Sequence, residues 1–408
     1  MKRVVITGLG VVSPLGCERE EFFTNLLEGR SGVEQITSFD CSGLRSNLGG
    51  IVKGFEPGRY LTPEEQIKTG LSAQYAIAAT AQALEQSGLL QNGVAPRDIG
   101  VSLGTTMGEA QVTYQIDQVA ALKGIDQVPG QLYLQRPPGA MATSLARKFG
   151  FGGPNNMIPT ACAAGNYAIG NSFDLIQSGR VKAMVTGGAD CLSISAVYGF
   201  NRLNSLTPDQ VRPFDRNRKG ILVGEGAGIL VLEEYEQALA RGAKIIAEVL
   251  GYGISCSTYH MITPDPQARG AVSAINKALQ RAGVDKNHIG YISAHGTGTL
   301  ANDKAETKAI KQVFGDRAGE IPISSIKSML GHMMGAASAV EALTCALVVQ
   351  RQLVPPTINY QDPDPECDLD YVPNYARKAE VDYALSNAYA FGANDSTVLI
   401  GKFQERRQ

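Results

Sequence analysis

The chain has 408 residues, 44% hydrophobic and 19% charged, a balance that excludes disordered and collagen-like proteins and suffices for a sizeable core. Its 37 Lys and Arg against 39 Asp and Glu leave a net charge of −2, so no bulk basic field is available to hold nucleic acid or an anionic membrane. Seven cysteines, an odd number with no CxxC pair, indicate neither a disulfide framework nor a zinc site of the usual spacing, and free thiols predict a cytoplasmic protein.

Met1-Lys2-Arg3 followed by apolar residues imitates a secretory signal. Gly8, Gly10, Pro14 and Gly16 interrupt it, however, and the Val4-Val5-Ile6 run predicts a buried strand. An Ala- and Gln-rich helix is expected over Ser72 to Ser87, then a strand from Ile99 to Leu103. Further strands are expected at 183–186, 228–232, 289–293 and 397–400, and no run is long enough to cross a bilayer. This alternation predicts α/β layering. Ile99-Gly100 and Ile289-Gly290 open similar strands, and the runs from Met157 and Ile323 both lead into helices of small residues. The chain therefore reads as a duplicated α/β unit, with halves at 1–246 and 247–408 packed into one body because no linker separates them.

Cys162 lies where a strand meets the small-residue helix Ala163-Ala164-Gly165, and the positive end of that helix would favour a nucleophilic thiolate. Cys17, Cys41, Cys191, Cys256, Cys345 and Cys367 read as inert core cysteines. Of four histidines, His295 and His332 occupy strand-to-helix turns like that of Cys162, whereas His260 and His288 read as surface residues. Turns of this kind gather at one crevice of a parallel sheet. No histidine pair has the helical zinc spacing, so no metal is expected. Lys327 directly after an apolar strand reads as a fixed cation that orders Glu341 or holds an imidazole neutral. Gly8 and Gly10 lack the third glycine of a dinucleotide fingerprint, and Gly224 to Gly228 lacks the phosphate-loop ending.

Thr160-Ala161-Cys162, Gly187-Gly188-Ala189-Asp190, Arg212-Pro213-Phe214-Asp215, His295-Gly296-Thr297-Gly298-Thr299, Asn302 to Glu306, Lys327 to His332 and Pro355 to Asn359 stand in order along nearly the whole chain. Together they resemble the β-ketoacyl-acyl-carrier-protein synthases, most closely the elongating type II form. The resemblance implies a thiolase-like fold, layered α-β-α-β-α. It also implies Cys162 as nucleophile, His295 and His332 as its partners, and Lys327, Glu341 and Asp303 in support. Backbone N–H groups of Cys162 and Phe391 would form an oxyanion hole, with Phe391 and Gly392 in a gate loop. No cofactor is implied.

Implied partners are an acyl carrier protein bearing acyl and malonyl groups, and a second subunit, either an identical copy or a homologous chain-length partner, paired through the first half. Lys68, Arg202, Arg212 and Arg216 are candidate contacts for the acidic carrier. Two departures bear on substrate. Ala390 and Ala393 stand where the elongating enzymes carry glycine, restricting positive φ in the gate, and Gly298 is closer to polyketide ketosynthases. The resemblance thus implies fatty-acid elongation, or the catalytic subunit of a type II polyketide or polyene pathway.

Overall fold

The computed structural model describes residues 2–91 and 94–405. Strand β1 (Val4–Val12) is buried at every residue, as its Val/Ile/Leu run requires of a strand covered on both faces. Gly8 and Gly10 admit helix α1 (Leu71–Ser87) against it: a Cβ at either would come within 2.1 and 1.8 Å of the carbonyls of Ala83 and Ala79. These glycines serve close backbone packing.

The first half adds β2 (Ile99–Gly104), β3 (Asn155–Ile158), helix α2 (Ala164–Gln177), β4 (Ala183–Asp190) and β5 (Gly226–Glu234). The second half repeats the plan with β6 (Ala247–Cys256), helix α3 (Arg269–Ala282), β7 (Ile289–Ser293), helix α4 (Leu300–Phe314), β8 (Ile323–Ser324), helix α5 (Ala337–Arg351), β9 (Tyr383–Ala390) and β10 (Asn394–Gly401). Among the described residues these ten strands form one sheet in the order β8-β7-β9-β10-β6-β1-β5-β4-β2-β3. Pairing type repeats too: β2 is parallel to β3 and β4, as β7 is to β8 and β9, and β4 runs antiparallel to β5, as β9 does to β10. The halves join where β1 pairs antiparallel with β6, Val4 opposite Val249 and Ile6 opposite Ala247.

Helix α5 is buried continuously from Ala337 to Val349. It packs on α2, and both helices touch strands of both halves, while α1 and α3 cover the outer faces. This is the layered, duplicated arrangement expected from the sequence. Each central helix is preceded at three residues by a non-glycine residue of positive φ, Ala161 at 50° and Met334 at 56°. That alignment makes Gly335 the counterpart of Cys162. The equivalent links between the last two strands differ: residues 191–225 connect β4 to β5, whereas the turn Phe391–Ala393 connects β9 to β10.

No helix among the described residues is long and apolar enough to cross a membrane. Cys191, Cys345 and Cys367 are buried, but Cys17 and Cys41 are half-buried and Cys256 is exposed at the end of β6, so the core reading holds for only part of that set.

Candidate active site

Beyond β3 the chain enters the turn Ala161–Ala163 and then α2. The left-handed conformation of Ala161 costs a side chain with a Cβ about 1 kcal/mol, and it sets Cys162 at the head of the helix. At Gly165 a Cβ would come within 2.5 Å of Ala339 N, so α2 and α5 approach closely and Cys162 sits at the junction of the halves. The helix start was expected to favour thiolate. Burial outweighs it: desolvation pushes the Cys162 thiol up to about 12, with the Lys327 charge opposing. The resting group is a thiol.

His295 and His332 converge on this sulfur from the second half. Cys162 Sγ and a ring nitrogen of each histidine lie within 4.8 Å of one another, all three side chains buried, and the imidazoles meet edge to face, centroids 5.6 Å apart. Lys327 Nζ donates to the His295 carbonyl at 2.7 Å, lies 3.4 Å from His295 Nδ1 and is paired with Glu341 Oε1. An ammonium only donates, so His295 Nδ1 accepts and its proton resides on Nε2. The backbone N–H of Met334 donates to His332 Nδ1 at 3.1 Å, which fixes the same tautomer. Burial first, then the Lys327 charge, holds both imidazoles well below 6.5, the neighbouring His332 adding to the effect on His295. Two neutral N–H donors therefore stand beside one thiol.

Lys327 and Glu341 are 2% and 1% exposed. Burial raises the Glu341 carboxyl to about 7 against the pull of Lys327. Asp303 accepts from the N–H groups of Phe214 at 2.8 Å and Gly298 at 3.2 Å and lies 3.7 Å from Arg218. It ties residues 214–218 to the turn after His295 without touching the imidazole. Glu306, which sequence reasoning left out of the site, is closer: it accepts from the backbone of His295 at 2.9 Å and Gly296 at 2.8 Å, and burial raises it to about 7. Its signal was its place three residues beyond Asp303, on the same face of α4.

A cavity of about 260 Å³ opens onto Cys162, His295, His332, Thr297, Thr299 and Phe391. The Phe391 ring packs on Phe200, centroids 5.7 Å apart, and Gly392, at φ 78°, donates its N–H to Met261 O at 2.7 Å. Ala390 is extended at φ −111°. Ala393 takes φ 61°, so alanine there does not exclude the left-handed conformation but occupies it at a cost. His260, expected as a plain surface residue, lines the cavity mouth, its Nδ1 accepting from Ile262 and Thr263 N–H. Lys68, Arg202 and Arg216 are exposed, Lys68 beside Glu64 at 2.5 Å. Arg212 is half-buried and makes a two-pronged ion pair with Asp209 at 2.8 and 2.9 Å. The Cys/His/His donor set is one zinc would accept, but the Lys327 ammonium beside His295 sets a positive charge against any dication.

Residues 1–238 match the β-ketoacyl synthase N-terminal domain and residues 246–361 its C-terminal domain. The chain belongs to the β-ketoacyl synthases. It is an acyltransferase of the condensing type. Among similar proteins, the 3-oxoacyl-[acyl-carrier-protein] synthase 2 of Synechocystis is 42% identical over 99% of both chains, and that of Vibrio cholerae 40% over 98% of both. Among solved structures, the ishigamide ketosynthase/chain length factor superposes with a TM-score of 0.94 at 43% identity, covering 99% of this chain and 100% of that one. A type II PKS acyl-carrier protein in complex with its ketosynthase, AntDE:AntF, gives 0.91 at 34% over the same shares.

Proposed function

We propose that the protein is a 3-oxoacyl-[acyl-carrier-protein] synthase that elongates fatty acyl chains by decarboxylative condensation. The observation that carries this reading is the convergence of a ring nitrogen from each of two neutral imidazoles and a buried thiol within 4.8 Å. The acyl group moves from carrier thioester to Cys162 Sγ, releasing the carrier thiol, and the resulting thioester divides one difficult step into two. Malonyl carrier then enters, its carbon–carboxylate bond breaks to release carbon dioxide, and the electron pair remains as an enolate. The N–H groups of His295 and His332 stabilise that oxygen, an interaction worth several kcal/mol where water is excluded. The carbanion attacks the acyl carbonyl, the N–H groups of Cys162 and Phe391 hold the tetrahedral oxyanion, and the C–S bond breaks to expel the cysteine thiolate, which takes up a proton from water to return the thiol. Lys327, with Glu341, keeps His295 neutral and in the donating tautomer. Halves 1–246 and 247–408 thus supply nucleophile and enolate site respectively.

A dimer is part of the proposal: Leu122 and Leu134, on the first-half helices Ala110–Lys123 and Gly130–Gln135, are 82% and 79% exposed, an apolar face a second subunit would cover. Lys68, Arg202 and Arg216 supply cations for an acidic carrier, and unpaired cysteines suit the cytoplasm.

Intact-mass measurement on the purified protein with acyl and malonyl carriers tests the reading. The expected result is acyl-Cys162 and a 3-oxoacyl carrier two carbons longer. Failure to load Cys162 across several chain lengths would overturn it. The strained Ala393, the glycine at 298 and the 43% identity to the ishigamide protein favour a second reading, the catalytic subunit of a type II polyketide pathway. Its signature is loading alone, with condensation only after a homologous chain-length partner is added.

A further inference from the structure

We propose that Asp190 is a positioning residue for His332: it takes, in the second half, the Gly335 N–H that corresponds to the Cys162 N–H of the first, while the counterpart of the Phe391 N–H, on Cys191, is taken by Ser72 Oγ at 3.0 Å. The role is specific to the condensation reading above. Asp190 and Ala390 are the last residues of β4 and β9 and pair with the first residues of the following strands, Gly226 and Asn394. They are equivalent positions of the duplicated sheet, as Cys162 and Gly335 are equivalent positions ahead of the central helices. The first cradle, Cys162 N–H with Phe391 N–H, opens on the cavity. In the second, Asp190 Oδ2 accepts from Gly335 N–H at 2.7 Å.

The carboxylate is held from every side. Oδ2 also accepts from Thr106 N–H at 2.7 Å, and Oδ1 accepts from Thr105 Oγ1 at 2.7 Å and Met107 N–H at 3.0 Å. Asp190 is fully buried, and among the described residues no cation pairs with it. Desolvation raises it to about 6 and the four hydrogen bonds oppose that rise, so at neutral pH it is ionised and offers acceptors only.

The link to His332 is two residues long. Met334, strained at φ 56°, donates its N–H to His332 Nδ1, and the next N–H, on Gly335, is the one Asp190 takes. Gly335 has no room to shift, since a Cβ there would lie within 2.6 Å of the Thr105 and Thr106 backbone. Asp190 therefore holds the strained turn whose N–H keeps the His332 proton on Nε2.

Asp190→Asn keeps the shape but turns an amide donor toward two backbone donors. Malonyl decarboxylation and condensation should fall about 100-fold, as expected for an ångström-scale misplacement of a reacting group, while acyl loading of Cys162 stays near wild type. In ¹⁵N-histidine spectra, recorded without substrate, the His332 resonance should leave the Nε2–H pattern while His295 keeps it. Thr105→Val, which removes one of the four donors, should shift the same quantities in the same direction by less, and it serves if the asparagine variant does not fold. Equal losses in loading and decarboxylation, or an unmoved His332 signal, would overturn the proposal. Wild-type protein that fails to load acyl groups would instead overturn the condensation reading, and the spectra would still judge Asp190.

Discussion

In the first half the strained turn ahead of the buried helix delivers Cys162; in the second the same turn delivers Gly335, and the polar side chain of the junction stands upstream, at His332. Position 341 of α5 carries a glutamate where its counterpart on α2, Ala168, carries a methyl group. The second half alone brings in Lys327, paired with that glutamate, and it alone sets imidazoles at its loops. Duplication supplies two matched, rigid sets of strand ends facing one junction, and divergence of their loops places a buried thiol on one and imidazole N–H groups on the other. A single unit could not surround the thiol, because its own strand ends all face one way.

The hardest test of this division is Cys162→Ala. Condensation should drop by about 10⁴-fold or more, since the covalent intermediate disappears. Decarboxylation of malonyl carrier, which the proposed mechanism assigns to the second half, should persist within about tenfold of wild type. His295→Ala should lose decarboxylation, and condensation with it, while leaving Cys162 able to accept an acyl group. Acyl loading assayed by mass and carbon dioxide release assayed separately would decide it; loss of carbon dioxide release in Cys162→Ala, or loss of loading in His295→Ala, would mean that the halves do not divide the reaction.

Much of this was legible in the sequence because strand ends are marked by residue type. The apolar runs at Ile99 and Ile289 and the small-residue helices after Cys162 and Gly335 gave the duplication, and a lysine after a buried strand marked Lys327 as a fixed charge. What stayed hidden depends on three-dimensional balance. Whether a helix start or desolvation governs Cys162 turns on burial, which no local pattern states. Glu306 looked like an ordinary polar position of a helix until its carboxylate was found on the backbone of His295. Arg212 looked like a free cation until Asp209, three residues earlier, proved to hold it. The φ of Ala393 is set by the hairpin closing β9 on β10, not by alanine's own preference.

A gentler test uses proton linkage. His332 is held well below 6.5 in the fold by burial and Lys327, whereas an unfolded histidine titrates near 6.5. Below that pH the unfolded chain binds the extra proton, so the stability this group preserves is complete above about 6.5 and declines as pH falls, by up to about 1.4 kcal/mol per pH unit. Buried carboxyls such as Glu341, raised to about 7, act with the opposite sign, so the quantity to compare is wild type minus His332→Gln. Between pH 7 and 5.5, urea denaturation should show that difference shrinking by about 1 kcal/mol. A flat difference would mean the imidazole is not held neutral by the fold.

The smallest effect concerns the links between the last two strands. The first half spans them with residues 191–225, long enough to place Phe200 and Arg218; the second closes them with Phe391–Ala393, where every backbone angle is constrained by the pairing of Ala390 with Asn394. In that turn Ala393 sits at φ 61°, a conformation that costs a residue with a Cβ about 1 kcal/mol or slightly more. Ala393→Gly removes this cost and adds back about 0.5 kcal/mol of unfolded-state freedom, so the net gain in stability should be below about 1 kcal/mol. The same change lets the turn visit both signs of φ, so Phe391 should leave Phe200 more readily and acyl loading should quicken by about two- to threefold. Decarboxylation measured in the Cys162→Ala background should stay unchanged, because the imidazoles lie on other loops. A stability loss would show that Ala393 is relaxed by its neighbours, and a matching change in decarboxylation would tie the gate to the second half's chemistry rather than to entry of the acyl chain.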